Sequence, residues 1–416
     1  MSVEGWQTKS LGAVIKDIGD GGTPNTNKKE YFGGTIPWIV IQDIRKEISS
    51  SKTTLAPIGL DSCSAKLWPT GSVILSTGAT IGEVGIAKVP VSTKQGIHGI
   101  VCGEELLSSF LYYKLQTLRD FLNANAQGST IREIRATFLR TIPISFPTAL
   151  PEQTKIAEIL STVDRAIEQT EAIIAKQQRI KTGLMQDLLT RGIDEHGNLR
   201  SEETHEFKDS PLGRIPVEWE VATAGEVSKS LVPGRDKPEL DGGGVPWITI
   251  PDIEEMYIEE AKTGLSLSKN AIKAANARLM PQGTVLMSCV GEFGIATIAA
   301  VDVAANQQLH GFICDQNVLP EWLVVQLTGA GQRIDRMATQ TTIKYLNKTG
   351  CESILITVPD RHEQEHSIAL LSRVLNLLTQ QQKHLAKFQA IKTALMQDLL
   401  TGKKRVTALL NDTEVT

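Results

Sequence analysis

Basic side chains gather at one repeated position in this 416-residue chain. In the first half they are Arg132, Arg135 and Arg140. In the second half they are Arg333, Arg336, Lys344 and Lys348. Guanidinium and ammonium groups neutralise phosphates, and recurrence of the cluster in both halves is what a DNA-binding face requires. Ordinary solvated residues of a helix or loop remain an equally open interpretation.

Polar side chains beside these clusters are our candidates for contacts with DNA, because amides, hydroxyls and guanidinium groups hydrogen-bond to phosphates and base edges. In the first half the candidates are Gln127, Ser129, Thr130, Arg132 and Arg135. In the second half they are Thr339, Gln340, Thr341, Thr342 and Lys344. The alternative is that each stretch only forms a turn before a C-terminal strand.

The net charge of −4 argues at first against a nucleic-acid partner. Its distribution is uneven, since residues 1–150 carry 15 Lys and Arg against 12 Asp and Glu, whereas residues 215–359 carry 11 against 17. A local basic face is therefore compatible with an acidic total.

Signals for catalysis are weak. Asp252, followed by Glu260 and Lys262, could hold a metal ion beside a phosphate, as in a nuclease. The equivalent stretch after Asp43 has no Glu-x-Lys triplet, so we favour Asp43 and Asp252 as caps of a turn after a strand. An adenine methyltransferase of the usual kind would carry an Asp/Asn-Pro-Pro-aromatic motif, and the sequence contains no Pro-Pro dipeptide.

Other potentially reactive residues have structural explanations. His98 and His310 occur at matching positions with no second Cys or His at ligand spacing, so we interpret them as core or hairpin residues and assign no metal. The five cysteines form no Cys-x-x-Cys pair. Cys102 and Cys314 lie in apolar runs, which predicts buried structural thiols.

An internal repeat organises the chain. Residues 180–190, IKTGLMQDLLT, match residues 391–401, IKTALMQDLLT, at an offset of 211. Glu152-Gln153 and Glu363-Gln364 keep the same offset. Further matches at offsets of 209 to 213 precede each helical segment, so short insertions separate them. The duplicated unit is therefore a globular part followed by a long helix.

The helical segments have heptad-like periodicity. In the first copy the stripe comprises Ile156, Ile159, Val163, Ala166, Thr170, Ile173, Gln177, Ile180 and Leu184. Each helix spans roughly forty residues, or about 60 Å, and cannot bury its stripe alone. Because a globular domain separates the two helices, antiparallel packing is expected, with the helices acting as a ruler between the domains. A helical scaffold without a measuring role is the alternative.

The globular parts are predicted to be mixed α+β, with two similar domains related by an approximate two-fold repeat. Strands are expected at residues 37–41, 72–76, 85–89 and 141–146, and in the second copy at 284–288 and 353–358. The predicted organisation is domain 1 (1–150), helix 1 (151–192), a connector (193–214), domain 2 (215–359), helix 2 (360–404) and a tail (405–416).

No apolar stretch approaches the length of a membrane span, and the N-terminus lacks the pattern of a signal peptide. We therefore expect a cytoplasmic protein.

The motifs resemble a known family. Gly21-Gly22-Thr23-Pro24 precedes Ile36-Pro37-Trp38-Ile39, and a Glu-Gln pair opens each long helix that ends in the repeated Leu-Met-Gln-Asp-Leu-Leu. Together with the connector, this pattern is similar to the specificity subunit of Type I restriction-modification enzymes over essentially the whole chain. The second copy departs from it, with Pro233-Gly234 in place of Gly-Gly-Thr-Pro.

The resemblance implies a non-catalytic subunit in which two target-recognition domains each read half of a bipartite DNA target. It implies helices that set the spacer and dock two copies of a DNA adenine methyltransferase subunit, with restriction or translocase subunits as further partners. S-adenosylmethionine, ATP and Mg would then belong to the partner subunits, and this chain would bind no cofactor. A coiled-coil scaffold without DNA specificity and a stand-alone metal-dependent nuclease are the alternatives.

Overall fold

Two compact units make up the chain in a computed structural model, which describes residues 3–128, 132–234, 236–339 and 343–411. Unit 1 comprises Met1–Ala172 with Lys383–Thr416, and unit 2 comprises Ile173–Gln382. Each unit therefore contains one globular domain and a portion of both long helices. The unit boundaries fall inside the helices, whereas the organisation expected from the sequence placed its boundaries at their ends.

Domain 1, the globular part of unit 1, precedes the first long helix. Its strands are β1 (Trp6–Ser10), β2 (Ile15–Gly19), β3 (Phe32–Ile39), β4 (Glu47–Ile48), β5 (Thr54–Leu55), β6 (Leu67–Trp68), β7 (Val73–Ser76), β8 (Val84–Ala87), β9 (Val91–Thr93), β10 (Ile97–Cys102) and β11 (Pro143–Pro147). Its helices are α1 (Leu11–Val14), α2 (Pro57–Asp61), α3 (Ser108–Thr117), α4 (Arg119–Asn125) and α5 (Ala136–Thr141). The long helix α6 (Leu150–Thr190) follows.

Domain 2 follows a connector that contains the hairpin β12 (Phe207–Ser210) and β13 (Gly213–Pro216). Its strands are β14 (Glu220–Thr223), β15 (Ser228–Leu231), β16 (Val245–Ile248), β17 (Tyr257–Ile258), β18 (Ser266–Leu267), β19 (Leu279–Met280), β20 (Val285–Ser288), β21 (Ala296–Ala299), β22 (Val303–Ala305), β23 (Leu309–Cys314) and β24 (Leu355–Val358). Its helices are α7 (Lys269–Ala274), α8 (Pro320–Gly329), α9 (Gly331–Met337) and α10 (Lys348–Glu352), and α11 (Arg361–Leu399) and α12 (Ala408–Asn411) complete the chain.

The two domains have the same sheet topology. Domain 1 contains a five-stranded sheet of order β2-β10-β7-β8-β4, a four-stranded sheet of order β5-β3-β9-β6 and the pair β1-β11. Domain 2 repeats these as β15-β23-β20-β21-β17, β18-β16-β22-β19 and β14-β24. Both the mixed α+β fold and the internal repeat predicted from the sequence are confirmed.

The central strand of each five-stranded sheet is buried throughout because both of its faces are covered. In β7, Val73 and Leu75 pack in one cluster with Phe110, whereas Ile74 packs in another with Trp68. In β20, Val285 and Met287 share a cluster with Trp322, and Leu286 lies in a separate cluster. Alternating side chains of one strand thus join two cores in each domain.

The long helices are antiparallel within each unit. In unit 1, Ile156 and Leu160 near the start of α6 share a core with Leu399 at the end of α11. In unit 2, Leu188 near the end of α6 packs with Leu371 near the start of α11. The antiparallel arrangement predicted from the connection is therefore confirmed.

The predicted apolar stripe of α6 is buried only in part. Ile156 is fully buried, whereas Ile173 is 44% exposed and Ile180 is 48% exposed. The periodicity correctly identified the apolar face of α6, but other parts of the protein cover that face less continuously than predicted.

Several predicted strand limits need correction. Thr141 ends α5, and Ser353 follows α10, so β11 and β24 begin later than expected. Ile41 belongs to a 3-10 turn, Ile41–Asp43, rather than to β3. The turn forms because the Asp43 carboxylate accepts a hydrogen bond from the Val40 amide at 3.1 Å and so ends the strand.

The cysteines are free thiols. Cys102 and Cys314 are half-buried rather than fully buried as predicted, and each is the last residue of its strand. Cys289 and Cys351 are buried. Burial nevertheless raises the pKa of Cys102 to about 11 and that of Cys314 to about 12. Both thiols are therefore protonated and unreactive near neutral pH.

Candidate nucleic-acid interface

In both domains, the described residues on either side of the repeated polar stretch are joined by hydrogen bonds, and we call each such pair the stem. In domain 1, the amides and carbonyls of Gln127 and Glu133 exchange hydrogen bonds of 3.0 and 2.8 Å. In domain 2, the Thr339 amide donates to the Tyr345 carbonyl at 3.1 Å, and the Tyr345 amide donates to Thr339 Oγ1 at 3.1 Å. As names for stretches of sequence only, we call residues 128–132 loop 1 and residues 340–344 loop 2; residues 129–131 and 340–342 lie outside the described part of the chain.

Each loop is attached to its domain at the same place. The Ile134 amide donates to the Thr77 carbonyl just after β7 at 2.9 Å. The Leu346 amide donates to the Cys289 carbonyl just after β20, also at 2.9 Å. The central strand of the five-stranded sheet therefore holds the base of the loop in both domains.

Half of the candidate residues lie outside the part of the chain that the structure describes. These are Ser129 and Thr130 in loop 1, and Gln340, Thr341 and Thr342 in loop 2. Gln127 and Thr339 lie at the stems, and both are exposed. Among the described candidates, Gln127 matches Thr339 and Arg132 matches Lys344, whereas Arg135 corresponds to Asn347.

Two arginines, Arg132 at the end of loop 1 and Arg135 just after it, are exposed. Arg132 donates through Nη2 to the Asn123 carbonyl at 2.6 Å, which ties the loop to α4. Arg135 is exposed immediately before α5. These two side chains form a small positive surface next to loop 1.

The basic cluster of domain 2 is more neutral than its composition predicts. Lys344 pairs with Asp335 at 2.7 Å, and Lys348 pairs with Glu352 at 3.5 Å. Arg333 donates to the Leu355 carbonyl at 2.6 Å, and burial lowers the pKa of its guanidinium. Two carboxylates therefore oppose this cluster, because Asp335 pairs with Lys344 and Glu352 lies one turn after Lys348 on α10.

Arg336 is the exposed cation that this cluster leaves for a ligand, since no ion pair joins it to another described residue. It lines a groove of about 790 Å³ together with Gly291, Gln332 and the carboxylates of Glu292 and Asp335. Gly291 also connects this groove to loop 2, because its amide donates to the Lys344 carbonyl at 2.8 Å.

The paired histidines lie inside the domains. His98 is 1% exposed and His310 is 3% exposed. His98 Nδ1 lies 2.7 Å from Thr77 Oγ1, and His310 Nε2 lies 2.6 Å from Ser230 Oγ. Burial lowers the pKa of both imidazoles, that of His310 to about 4, so they are neutral. Their interpretation as core residues is confirmed.

The nuclease-like triplet is not assembled as a site. The Asp252 carboxylate accepts hydrogen bonds from the Thr249 amide at 2.7 Å and the Lys262 amide at 3.0 Å, which is the predicted capping role. Lys262 Nζ pairs with Glu254 at 2.5 Å rather than with Glu260. Over the described ranges, no group of three His, Cys, Asp or Glu residues is placed to hold a metal ion.

The repeated glutamines at the start of the long helices hold each helix to its domain. Gln153 accepts a hydrogen bond from the Leu107 amide at 2.9 Å and donates to the Glu105 and Pro147 carbonyls, both at 2.8 Å. The side chain is fully buried. It therefore joins α6 to the segments before α3 and after β11.

Gln364 makes the same contacts in unit 2. It accepts a hydrogen bond from the Leu319 amide at 2.9 Å and donates to the Asn317 and Pro359 carbonyls at 2.8 and 2.9 Å. The sequence contained the signal for this role, namely two polar residues kept in register at the start of two helices. Its function became clear only from the contacts.

The glutamate that precedes each of these glutamines forms an ion pair with an arginine. In both units, that arginine belongs to the segment that follows a long helix. In unit 2, Glu363 accepts hydrogen bonds from Arg200 at 2.5 and 3.0 Å, Trp219 at 3.0 Å and the Ile193 amide at 2.8 Å. A Cβ on Gly192 would lie 2.1 Å from Glu363 Oε1, so this crossing requires glycine, whose φ is +62°.

The same arrangement recurs in unit 1. Glu152 accepts hydrogen bonds from Arg405 Nε at 2.6 Å and Nη2 at 2.7 Å. Arg405 also donates to the Glu4 carbonyl. Arg405 and the buried Val406 belong to the segment that the sequence assigned to a tail, and they pack in unit 1.

The fold thus defines a duplicated protein, in which two similar α+β domains each carry a loop and are each fixed to a pair of antiparallel helices. The family model for the Type I restriction modification DNA specificity domain matches residues 3–177 and 216–387. The chain belongs to this family, and the resemblance seen in its motifs is confirmed.

Individual relatives agree with this assignment. The chain is 27% identical over 430 residues to the Type I restriction enzyme MjaIX specificity subunit of Methanocaldococcus jannaschii, covering 97% of this chain and 94% of the relative. It is 30% identical over 164 residues to the EcoR124I/EcoR124II specificity subunit of Escherichia coli, covering 38% and 40%.

The fold is also similar to that of a solved structure. The Type I restriction-modification system S subunit from M. genitalium superposes with a TM-score of 0.62 over 96% of both chains, at 16% identity. Over the described residues, no helix is long and apolar enough to cross a membrane.

Proposed function

We propose that this chain is the non-catalytic DNA-specificity subunit of a Type I restriction-modification complex, in which each domain reads one half of a bipartite target. The observation that carries the proposal is the duplicated stem, which flanks loop 1 and loop 2 at the same place in two domains that the family model matches. The duplication supplies two recognition domains, and the sequence differences between loop 1 and loop 2 predict that they recognise two unlike half-sites.

Phosphate contacts would position each domain, and base contacts would specify its half-site. Arg132 and Arg135 beside loop 1, and Arg336 beside loop 2, are exposed and suited to phosphates. The polar residues of the loops and stems, Gln127 and Thr339 among them, are suited to base edges because amides and hydroxyls hydrogen-bond there.

Partner subunits would supply the chemistry and part of the phosphate neutralisation. We propose two copies of a DNA adenine methyltransferase subunit that use S-adenosylmethionine, joined in some complexes by restriction or translocase subunits that use ATP and Mg. The long helices leave Ile173, Ile180 and Leu377 exposed, each by more than 40%. Exposed apolar residues on a helix suit a protein partner, and the complex would act in the cytoplasm.

The length of the helices is proposed to set the gap between half-sites. Removing one matched heptad from each helix, residues 170–176 and 381–387, shortens each by about 10 Å at 1.5 Å per residue. We expect the preferred gap to shorten by about three base pairs, since ten base pairs span about 34 Å. Methylation mapping of DNA modified by the full complex measures the gap.

A control variant keeps the helix length and replaces exposed residues within the same heptads by alanine, and it should retain the original gap. An unchanged gap in the shortened protein would reject the ruler. A complex without sequence-selective methylation would favour a scaffold, and metal-dependent cleavage by the purified chain, lost in Glu260→Ala, would favour a nuclease.

Arg336→Ala is expected to weaken DNA binding of the complex about three- to tenfold at low salt, as for loss of one phosphate contact. The slope of the logarithm of the binding constant against the logarithm of the salt concentration should decrease in magnitude by about one. The weakening should be similar for specific and unrelated sequences. Fluorescence anisotropy over a salt series measures it, with Lys208→Ala in the connector as the matched exposed control. A change in preferred bases without a change in salt slope would assign Arg336 to base reading.

A further inference from the structure

A buried carboxylate fixes domain 1 to both long helices in unit 1. Asp164 of α6 is 6% exposed. Its oxygens accept hydrogen bonds from Lys46 Nζ at 2.8 Å, Tyr113 Oη at 2.6 Å and Lys392 Nζ at 2.8 Å. Lys46 lies before β4, Tyr113 on α3 and Lys392 on α11, so one side chain gathers donors from the sheet, a domain helix and the second long helix.

The charge on Asp164 is retained despite its burial. Burial acts to raise the pKa of the carboxyl, but the hydrogen bonds from Lys392, Lys46 and Tyr113 outweigh it, so the pKa is lowered. Burial and the adjacent carboxylate raise the pKa of Tyr113, which keeps its phenol as a donor. Lys46 also donates to Ser161 Oγ at 3.0 Å. Asp164 is therefore ionised, and its position is fixed by directional, charge-assisted hydrogen bonds.

The corresponding junction of unit 2 has different chemistry. The backbone defines the correspondence, because the Ile86 amide donates to the Lys46 carbonyl and the Ile298 amide donates to the Met256 carbonyl. The helix residues correspond at offsets of 211 and 212. The equivalents of Lys46, Tyr113, Ser161, Asp164 and Lys392 are Met256, Val325, Ser372, Leu375 and Lys181.

All five equivalents line one cavity of about 450 Å³ in unit 2. Three of the charged or phenolic groups are thus replaced by Met256, Val325 and Leu375, and Lys181 remains without an equivalent of Asp164. Apolar contacts are not directional, so they resist small rotations less than charge-assisted hydrogen bonds do. At this junction, in contrast to the matching glutamine and glutamate contacts, the two domains are therefore attached to their helices by different means.

We propose that Asp164 is a positioning residue that fixes the angle of domain 1 on the helix pair, whereas domain 2 is seated over a cavity that permits small rotations. The proposal rests on the proposed function as a reader of a bipartite target. One added base pair between half-sites shifts the second half by about 3.4 Å and rotates it by about 34°. If domain 1 is held rigidly on its helices, it cannot follow a displaced half-site, and the complex is sensitive to a spacer that differs by one base pair.

The test converts the junction of unit 1 into that of unit 2. The triple variant Lys46→Met, Tyr113→Val and Asp164→Leu is assembled with the methyltransferase subunits. Methylation rates are then measured on DNA with the mapped target and on DNA whose spacer is one base pair longer or shorter. We expect discrimination between the spacers to fall about tenfold, because a domain 1 that can rotate reaches a half-site displaced by one base pair. The rate on the mapped target should change less than about threefold, because the domain can still adopt its original position there.

The reciprocal graft is the matched control. Met256→Lys, Val325→Tyr and Leu375→Asp place the cluster in unit 2, where Lys181 already occupies the position of Lys392, and discrimination should not fall. If the graft lowers discrimination as much as the triple variant does, the effect is general destabilisation and the proposal is overturned.

If the triple variant does not assemble, the conservative variant Tyr113→Phe tests the same contact, because it removes one hydrogen bond to Asp164. We expect discrimination between the spacers to fall about two- to threefold, as for the loss of one hydrogen bond. Unchanged discrimination in an assembled variant overturns the role of Asp164 alone. A wild-type complex that methylates no bipartite target instead overturns the proposed function, so the two failures are distinguishable.

Discussion

Replacing Glu363 with alanine is expected to lower the free energy of unfolding of unit 2 by about 3–5 kcal/mol, the range for breaking a buried ion pair on one side. The side chains of Glu363 and Arg200 are 5% and 9% exposed. Without the carboxylate, the Arg200 charge is buried without its counter-ion, and the indole N–H of Trp219 and the Ile193 amide each lose their acceptor.

Hydrogen exchange of the full-length chain measures this loss, because it reports on each unit separately and two units need not unfold together. Amides of domain 2 should lose protection, while those of domain 1 should not. Glu365→Ala is the matched control, since Glu365 lies on the same helix in an exposed ion pair with Arg361 and should cost less than about 1 kcal/mol. Equal losses for both variants would contradict the assigned role of Glu363.

The duplication and the long helices were predictable because their signals are local or periodic. An eleven-residue match and a heptad stripe need no knowledge of the fold, and the helices observed at Leu150–Thr190 and Arg361–Leu399 follow from them. The short strands were less predictable. β4 and β17, for example, have two residues each, too few to establish an alternating pattern.

The attachments between domain and helix were not predictable from the sequence, because their partners are far apart in the chain. Asp164 is 118 residues from Lys46 and 51 residues from Tyr113. A single carboxylate on a helix is most often solvated, so nothing local distinguishes Asp164 from its exposed neighbour Arg165. Only the folded chain brings the donors together.

For the basic cluster of domain 2, the sequence overestimated the number of charges that are free to bind a ligand. Composition counts charges but not their partners, and Lys344 and Lys348 are each satisfied by a nearby carboxylate. Of the four basic residues in this cluster, the exposed Arg336 is therefore the one that we propose as a phosphate contact in domain 2.

Arg405→Ala is expected to destabilise unit 1 by about 2–3 kcal/mol, somewhat less than the fully buried case because the Arg405 side chain is 29% exposed. The side chain of Glu152 is 1% exposed, so its carboxylate would remain buried without a cation. Hydrogen exchange of domain 1 measures the effect.

Two further variants separate the charge from the geometry of this pair. Arg405→Lys keeps the charge but cannot form the two parallel hydrogen bonds to Glu152, so it should recover only part of the stability. Lys403→Ala, an exposed neighbour whose side chain is 76% accessible, should leave unit 1 unchanged. If Arg405→Ala behaves like Lys403→Ala, the segment after α11 is a dispensable tail; if protection of domain 1 falls as expected, residues beyond the second helix complete the first domain.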